Sequence, residues 1–306
     1  MITTNIISIP CFNLDQIAQS GQCFRMLPME KGGYSVISCG RYLEIQEIAG
    51  SDSPSIAFTC PEEDLDFWFH YFDFHTDYQA ILNAVRPEDA YLAAAGKAGN
   101  GIRILRQDLW EMIITFIISQ QKTIPAIRQA VEQLSRQYGS PIQTVSSPSD
   151  TSGTNTIYAF PTPQQLSAAA LEDLQNLKLG YRAKYIFKTT QDVCNRLLDL
   201  EYLKTLNYQD SMSYLKQFYG IGEKVANCIC LFGLHHIDAF PVDTWIQKIL
   251  MAEYYPKHPR RYKALPKSAL METIINDNFH FYKGFRGVMQ QYIFYYERER
   301  LGRTEL

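Results

Sequence analysis

The apolar positions along this chain change their period once, near residue 76. Before that point, short β-type runs at Asn5–Ile9, Cys23–Leu27, Tyr34–Ser38, Tyr42–Ile48 and Ser55–Cys60 are separated by Pro28, Gly32-Gly33, Gly40 and Asp52-Ser53-Pro54. The pattern predicts a twisted antiparallel sheet within residues 1–76, backed by a helix that Pro61-Glu62-Glu63 introduces. Its aromatic run Leu65–Phe74 is expected to pack between domains. From Asp77 onward the apolar residues recur at helical spacing and are broken by polar turns. The fold class expected is α+β, with an N-terminal antiparallel sheet domain (1–76) packed on a larger helical domain (77–306).

Within the helical part, Asp108-Leu109-Trp110-Glu111 opens a strongly apolar helix through Ile118, which the pattern marks as the buried central element. Ser119-Gln120-Gln121-Lys122-Thr123 interrupts it before another helix starts around Pro125. The stretch Gly139–Gln165 is rich in Ser, Thr, Pro and Gly, lacks a period, and is expected to be a mobile surface insertion. Residues 208–234 read as helix, hairpin and helix, the turn being Tyr219-Gly220-Ile221-Gly222 and the second helix running from Glu223 to Phe232.

Candidate chemistry concentrates there. Gly220 and Gly222 let the backbone turn and bring N–H groups close to a partner, for which a phosphate at the following helix N-terminus is the natural choice. Lys224 lies in the first turn of that helix, where the dipole disfavours a cation and so favours the neutral amine, a nucleophile able to form a Schiff base. Cys228 lies four residues on, shares the face of Lys224, and can wall a pocket beside it. Asp243, in Pro241-Val242-Asp243-Thr244, precedes a helical pattern; it suits an N-cap, and an acid held there can also stabilise a developing cation or shuttle a proton. Glycine hairpins between helices and solvated helix lysines are common, so this stretch alone leaves catalysis and simple packing both open.

Composition narrows the classes. With 306 residues and 46% hydrophobic content the chain can build a real core, and a net charge of −3 confines any nucleic-acid site to a local patch. No secretory leader or membrane span is expected, since no basic residue precedes Arg25 and no long apolar run occurs. Seven scattered cysteines without a CxxC pair suit a reducing compartment and argue against zinc or an iron–sulfur cluster.

The run GIGEKVANCICL followed by PVD resembles the helix-hairpin-helix and Gly/Pro-Asp loop of base-excision DNA glycosylases, and within that superfamily the 8-oxoguanine DNA glycosylase family. The resemblance gives Lys224 the attack on the sugar carbon and Asp243 an assisting role. SGQCFRM resembles the family segment in which a glycine carbonyl accepts the N7–H of 8-oxoguanine, which falls on Gly21; Met26 replaces the usual tryptophan. FIISQQKTI resembles the segment that fills the gap left by a flipped base, with Gln121 as the plug, and Ala126 stands where some members carry a cytosine-reading arginine. LGYRA places Tyr181 as a wedge and Arg182 on the orphaned base. Gln290 becomes the reader of the base edge and Phe294 the ring stacked on it, while Trp245 takes a place often held by histidine near phosphate.

The resemblance thus implies a bifunctional glycosylase and AP lyase, acting as a monomer on double-stranded DNA containing 8-oxoguanine. It implies no cofactor and no metal for the chemistry, although hairpin carbonyls can hold a structural cation. The location implied is the nucleoid of a bacterium or the nucleus of a eukaryote. Two other readings stay open: an alkylated-base glycosylase of the same fold, which generally lacks this lysine, and a noncatalytic helix-hairpin-helix DNA-binding module. The basic stretch Lys257–Lys267 is expected to be a solvated surface.

Overall fold

The computed structural model describes residues 1–48, 55–142, 144 and 156–302. Five antiparallel strands, β1 (Ile2–Ser8), β2 (Met26–Pro28), β3 (Tyr34–Ser38), β4 (Arg41–Ile48) and β5 (Ser55–Pro61), form one sheet in the order β1-β5-β4-β3-β2. The Asp52-Ser53-Pro54 turn expected between β4 and β5 lies outside the described residues. Ile45 stands opposite Tyr34 on one side and Phe58 on the other, so the register carries apolar residues across the sheet. In β5 alternate residues Ile56, Phe58 and Cys60 are buried, as a strand with one covered face requires.

Two helices cover that face. The Leu65–Tyr71 helix, introduced by a short turn at Glu62–Asp64, lays Trp68 and Tyr71 onto it. The Leu14–Gln19 helix, absent from the sequence reading, adds Leu14, Ile17 and Ala18; Asn13 caps it by accepting the Gln16 N–H at 2.9 Å. At six residues it is too short to display a helical period. The aromatic run therefore belongs chiefly to the core of the sheet domain, with Trp68, Tyr71 and Phe72 in one cluster around Phe58 and Leu43, and does not lie between two cores as expected.

The strand expected at Cys23–Leu27 also shifts, to Met26–Pro28, because the residues before it are engaged elsewhere. Gln22 is fully buried; its amide donates to Arg103 O and accepts from Leu105 N, both at 2.8 Å, and its carbonyl accepts from Gln107 at 2.8 Å. These bonds stitch the residue after Gly21 to the segment that leads into the central helix. Asp73 adds a second tie, pairing with Arg106 at 2.9 Å, Tyr78 at 3.0 Å and His235 at 3.1 Å.

The central helix, Leu109–Ile118, is buried at all ten positions, which explains why it is apolar on every face apart from Glu111 and Thr115. Asp108 caps it by accepting the Glu111 N–H at 2.8 Å. Packed beside it are the Ile124–Tyr138, Arg182–Cys194 and Glu223–Phe232 helices. The expected insertion is anchored at both ends: Pro141–Ile142 pairs with Ile157–Tyr158, Arg25 donates to Tyr158 O, and Trp110 donates to Pro161 O at 2.9 Å. Of the Gly139–Gln165 stretch expected to be mobile, residues 143 and 145–155 lie outside the described residues. The basic stretch near Lys257 is surface, with Lys257 paired to Asp89 and Arg261 to Asp277. Among the described residues no helix is long and apolar enough to cross a membrane.

One buried acid in this frame titrates near neutrality. Burial pushes Glu111 up from 4.5 to about 7, with Arg25 opposing the rise and Asp108 adding to it. A raised carboxyl holds its full contribution to stability below its unfolded value and loses it as pH climbs through about 7. The fold should therefore weaken between about pH 4.5 and about pH 7, by up to about 3 kcal/mol, and level off above that. Denaturant titrations across that range should show the loss in wild type and a flatter profile in Glu111→Gln.

Candidate active site

Lys224 and Asp243 line one pocket, although nineteen positions separate them. The pocket, about 140 Å³, lies between the sheet domain and the helices; Ser20, Gly21 and Phe24 form one wall, and Phe116, Ser119, Cys228, Gln290, Gln291 and Phe294 much of the rest. On the scale of about 10–15 Å³ needed for one water, that is room for on the order of ten waters, enough for a flat heterocycle.

Lys224 is half-buried in the first turn of the Glu223–Phe232 helix, as expected. Gly222 is the N-cap and offers no side-chain acceptor, so the helix start keeps its N–H groups open. The amine donates to Ser119 Oγ at 3.0 Å and sits 5.5 Å from the centre of the Phe116 ring. Ser119 in turn donates to Phe116 O at 2.8 Å. With its only proton used there, the hydroxyl accepts from the amine. The arrangement fixes the amine at the pocket wall.

Asp243 caps the Thr244–Ile249 helix, and its Oδ1 accepts from Trp245 N at 3.0 Å and Ile246 N at 2.8 Å. Two backbone donors on one oxygen hold the carboxylate in place. Cys228 is buried in the same pocket; burial pushes its thiol up, Lys224 opposes that rise, and Asp243 adds to it. The thiol therefore stays protonated at neutral pH and offers no rival nucleophile.

Gly21 has φ +77°, and a Cβ there would come within 2.9 Å of Phe294 Cε1. A side chain at this position would press on the ring, so glycine keeps the gap between Gly21 and Phe294. Gln290 is buried on the Arg286–Arg300 helix one turn before Phe294, and both line the pocket as expected. The four residues expected to contact the base, Gly21, Cys228, Gln290 and Phe294, thus line one pocket.

The expected DNA-facing residues divide. Gln121 is exposed at the turn after the central helix and has φ +51°, a strained conformation for a side-chain-bearing residue that pushes the loop tip outward. Tyr181 is 44% exposed and braced edge-on by Tyr185, which also meets Tyr219 of the hairpin. Arg182, expected to reach outward to the orphaned base, is instead buried. Its guanidinium donates to Gln120 O through Nε at 2.7 Å and through Nη2, and to Leu179 O at 3.2 Å. The Gln120 carbonyl, just past the end of the central helix, claims it, so it supports the Gln121 turn. Trp245 lies outside the pocket, half-buried, with its indole N–H unpaired among the described residues.

Gly220 and Gly222 differ in kind. A Cβ on Gly220 would come within 2.4 Å of the Tyr185 ring, at φ +88°. Around Gly222 nothing lies within 4 Å. Gly220 therefore serves the fold, while the space at Gly222 faces outward beside the open helix start, as close approach of a phosphate requires. Gly220→Ala should cost about 2 kcal/mol or more in denaturant unfolding, and Gly222→Ala should stay within about 0.5 kcal/mol.

Three residues were missed by sequence reasoning. Ser119 and Lys122 stand in the FIISQQKTI run but received no role, and Gln291 adjoins Gln290 unremarked. Their signals lie in spatial pairing, such as the Ser119–Lys224 bond across 105 positions. Burial pulls the Lys122 amine down, with Arg182 adding to the effect.

This geometry meets a clear set of relatives. Residues 6–113 match the model of the 8-oxoguanine DNA glycosylase N-terminal domain, and residues 114–269 that of the HhH-GPD superfamily of base excision DNA repair proteins. The chain belongs to the 8-oxoguanine DNA glycosylase family of that superfamily. The 8-oxoguanine glycosylase/lyase of Clostridium acetobutylicum, solved with double-stranded DNA containing cytosine opposite 8-oxoG, is 33% identical with a TM-score of 0.84 over 98% of both chains. N-glycosylase/DNA lyase of Saccharomyces cerevisiae is 34% identical over 173 residues, 53% of this chain and 44% of its own. A probable N-glycosylase/DNA lyase of Methanothermobacter thermautotrophicus is 30% identical over 183 residues, 56% of its length. The chain spans about half the length of these curated relatives. A 3-methyladenine DNA glycosylase of Archaeoglobus fulgidus, at 15% identity and a TM-score of 0.69, shares the fold of the family.

Proposed function

We propose that this protein excises 8-oxoguanine from duplex DNA and then nicks the strand, acting as a monomeric glycosylase and AP lyase in base excision repair. The observation that carries the reading is the convergence of Lys224 and Asp243 on a pocket whose walls are Gly21, Cys228, Gln290 and Phe294. Membership of the family supports the substrate, and the lysine argues against the alkylated-base branch. A noncatalytic module would need neither the enclosed pocket nor the oriented amine.

The chemistry follows from the charges. A flipped nucleotide enters with its sugar facing Lys224 and its base in the pocket. The amine attacks the anomeric carbon as the glycosidic bond breaks, and the base leaves with the bonding electrons and takes up a proton. Asp243, fixed by its two backbone donors, faces the positive charge that grows on the sugar. Opening of the sugar ring gives the Schiff base to Lys224, and loss of a proton from the adjacent carbon expels the 3′ phosphate. No cofactor enters, because the lysine supplies the nucleophile and the electron sink. A cation on the hairpin carbonyls would serve only to fix the backbone there.

Single-turnover release of 8-oxoguanine tests the reading. Lys224→Gln should abolish strand nicking and slow release by about a thousandfold, and Asp243→Asn should slow release by about a hundredfold or more. Wild-type rates in Lys224→Gln would overturn the proposal. Ser119→Ala should lower the rate about tenfold with little change in substrate affinity, since it frees the amine without removing it.

The base opposite the lesion should matter less than in relatives with a cytosine-reading arginine. Ala126 has no group to contact a base edge, and Arg182 is engaged with Gln120 and Leu179. A bidentate arginine contact is worth about 1–3 kcal/mol of discrimination. Excision opposite cytosine and opposite adenine should therefore differ by less than about tenfold in parallel duplexes.

A further inference from the structure

Gln291 lines the base pocket beside Gln290, and both side chains are buried, at 3% and 4% exposure. Gln291 Nε2 donates to Gln290 Oε1 at 2.9 Å. That bond occupies the carbonyl of Gln290 and leaves its NH2 group for the pocket. Gln291 Oε1 is a buried acceptor with no hydrogen-bond partner among the described residues. A buried carbonyl without a partner costs about 1–3 kcal/mol, so it is a poor choice for packing alone and suits an N–H that arrives with a ligand.

We infer that Gln291 is a specificity-determining residue: it holds the Gln290 amide so that its NH2 faces the base, and its own Oε1 accepts the adjacent ring N–H. Resting on the glycosylase reading, the inference assigns the pair a particular edge. A donor followed by an acceptor complements a purine lactam, in which a carbonyl neighbours a ring N–H, as in 8-oxoguanine. In 8-oxoadenine the same edge carries an amino group and a bare ring nitrogen, so donor meets donor and acceptor meets acceptor. Buried groups that match one edge and oppose the other discriminate through the penalty of leaving polar atoms unpaired.

The test is the ratio of kcat/KM for 8-oxoguanine over 8-oxoadenine in otherwise identical duplexes, for wild type and Gln291→Met. Methionine keeps the length and volume but supplies neither the NH2 nor the carbonyl. Because both substrates meet the same enzyme sample, the ratio is independent of the folded fraction, which a merely structural role would change. Wild type should favour 8-oxoguanine by about a hundredfold, and Gln291→Met should narrow the ratio about tenfold or more, chiefly by losing rate on 8-oxoguanine. An unchanged ratio, with or without a lower rate on both, overturns the inference and leaves the glycosylase reading standing. Absence of 8-oxoguanine release by wild type overturns both.

Discussion

A lysine in the first turn of a helix faces backbone N–H groups that repel a cation, and at Lys224 the fold adds further constraints. Its amine is half-buried against Phe116 and donates to a serine whose proton is already committed. The open helix start provided by Gly222 leaves donors for an anion, while the carboxylate of Asp243 stands at the start of another helix lining the same pocket. Negative and positive ends are thus arranged for a substrate that carries phosphate and develops positive charge on its sugar. Most of the surrounding structure can be understood as keeping this arrangement fixed while a base is seated beside it.

The sheet domain contributes through position and not through reactive groups. Gln22, buried and bonded to Arg103, Leu105 and Gln107, ties the Ser20-Gly21 wall to the entrance of the central helix. The other end of that helix presents Ser119 to Lys224 and yields to the Gln121 turn. One rigid element therefore links the Ser20-Gly21 wall, the hydrogen-bond partner of Lys224 and the outward-facing loop. Arg182 strengthens the last link by donating to the Gln120 carbonyl, which explains why a cation next to Tyr181 is buried rather than exposed.

What could be read from the chain depended on the range of each interaction. Strand alternation and the apolar run of the central helix are local, and they placed the sheet and the buried core; the Leu14–Gln19 helix escaped because six residues carry less than two turns. Lys224, Cys228 and Asp243 stood out because helix position and spacing alone constrain them, and Gly21, Gln290 and Phe294 entered through the family resemblance. Ser119, Lys122 and Gln291 take their meaning from partners or a pocket assembled across the fold, and neither periodicity nor spacing encodes that. Arg182 shows the same limit from the other side: the residue type was legible, but the carbonyls that claim it were not.

The central claim, that Lys224 is the nucleophile, has a direct test because a second amine, Lys122, shares the pocket. Borohydride should trap a covalent complex between wild type and a duplex containing one 8-oxoguanine, and peptide mapping should place the reduced link on Lys224. An undamaged duplex should give no adduct. A link on Lys122, or base release with no trapped complex, would contradict the account by moving the attack to another amine or to water.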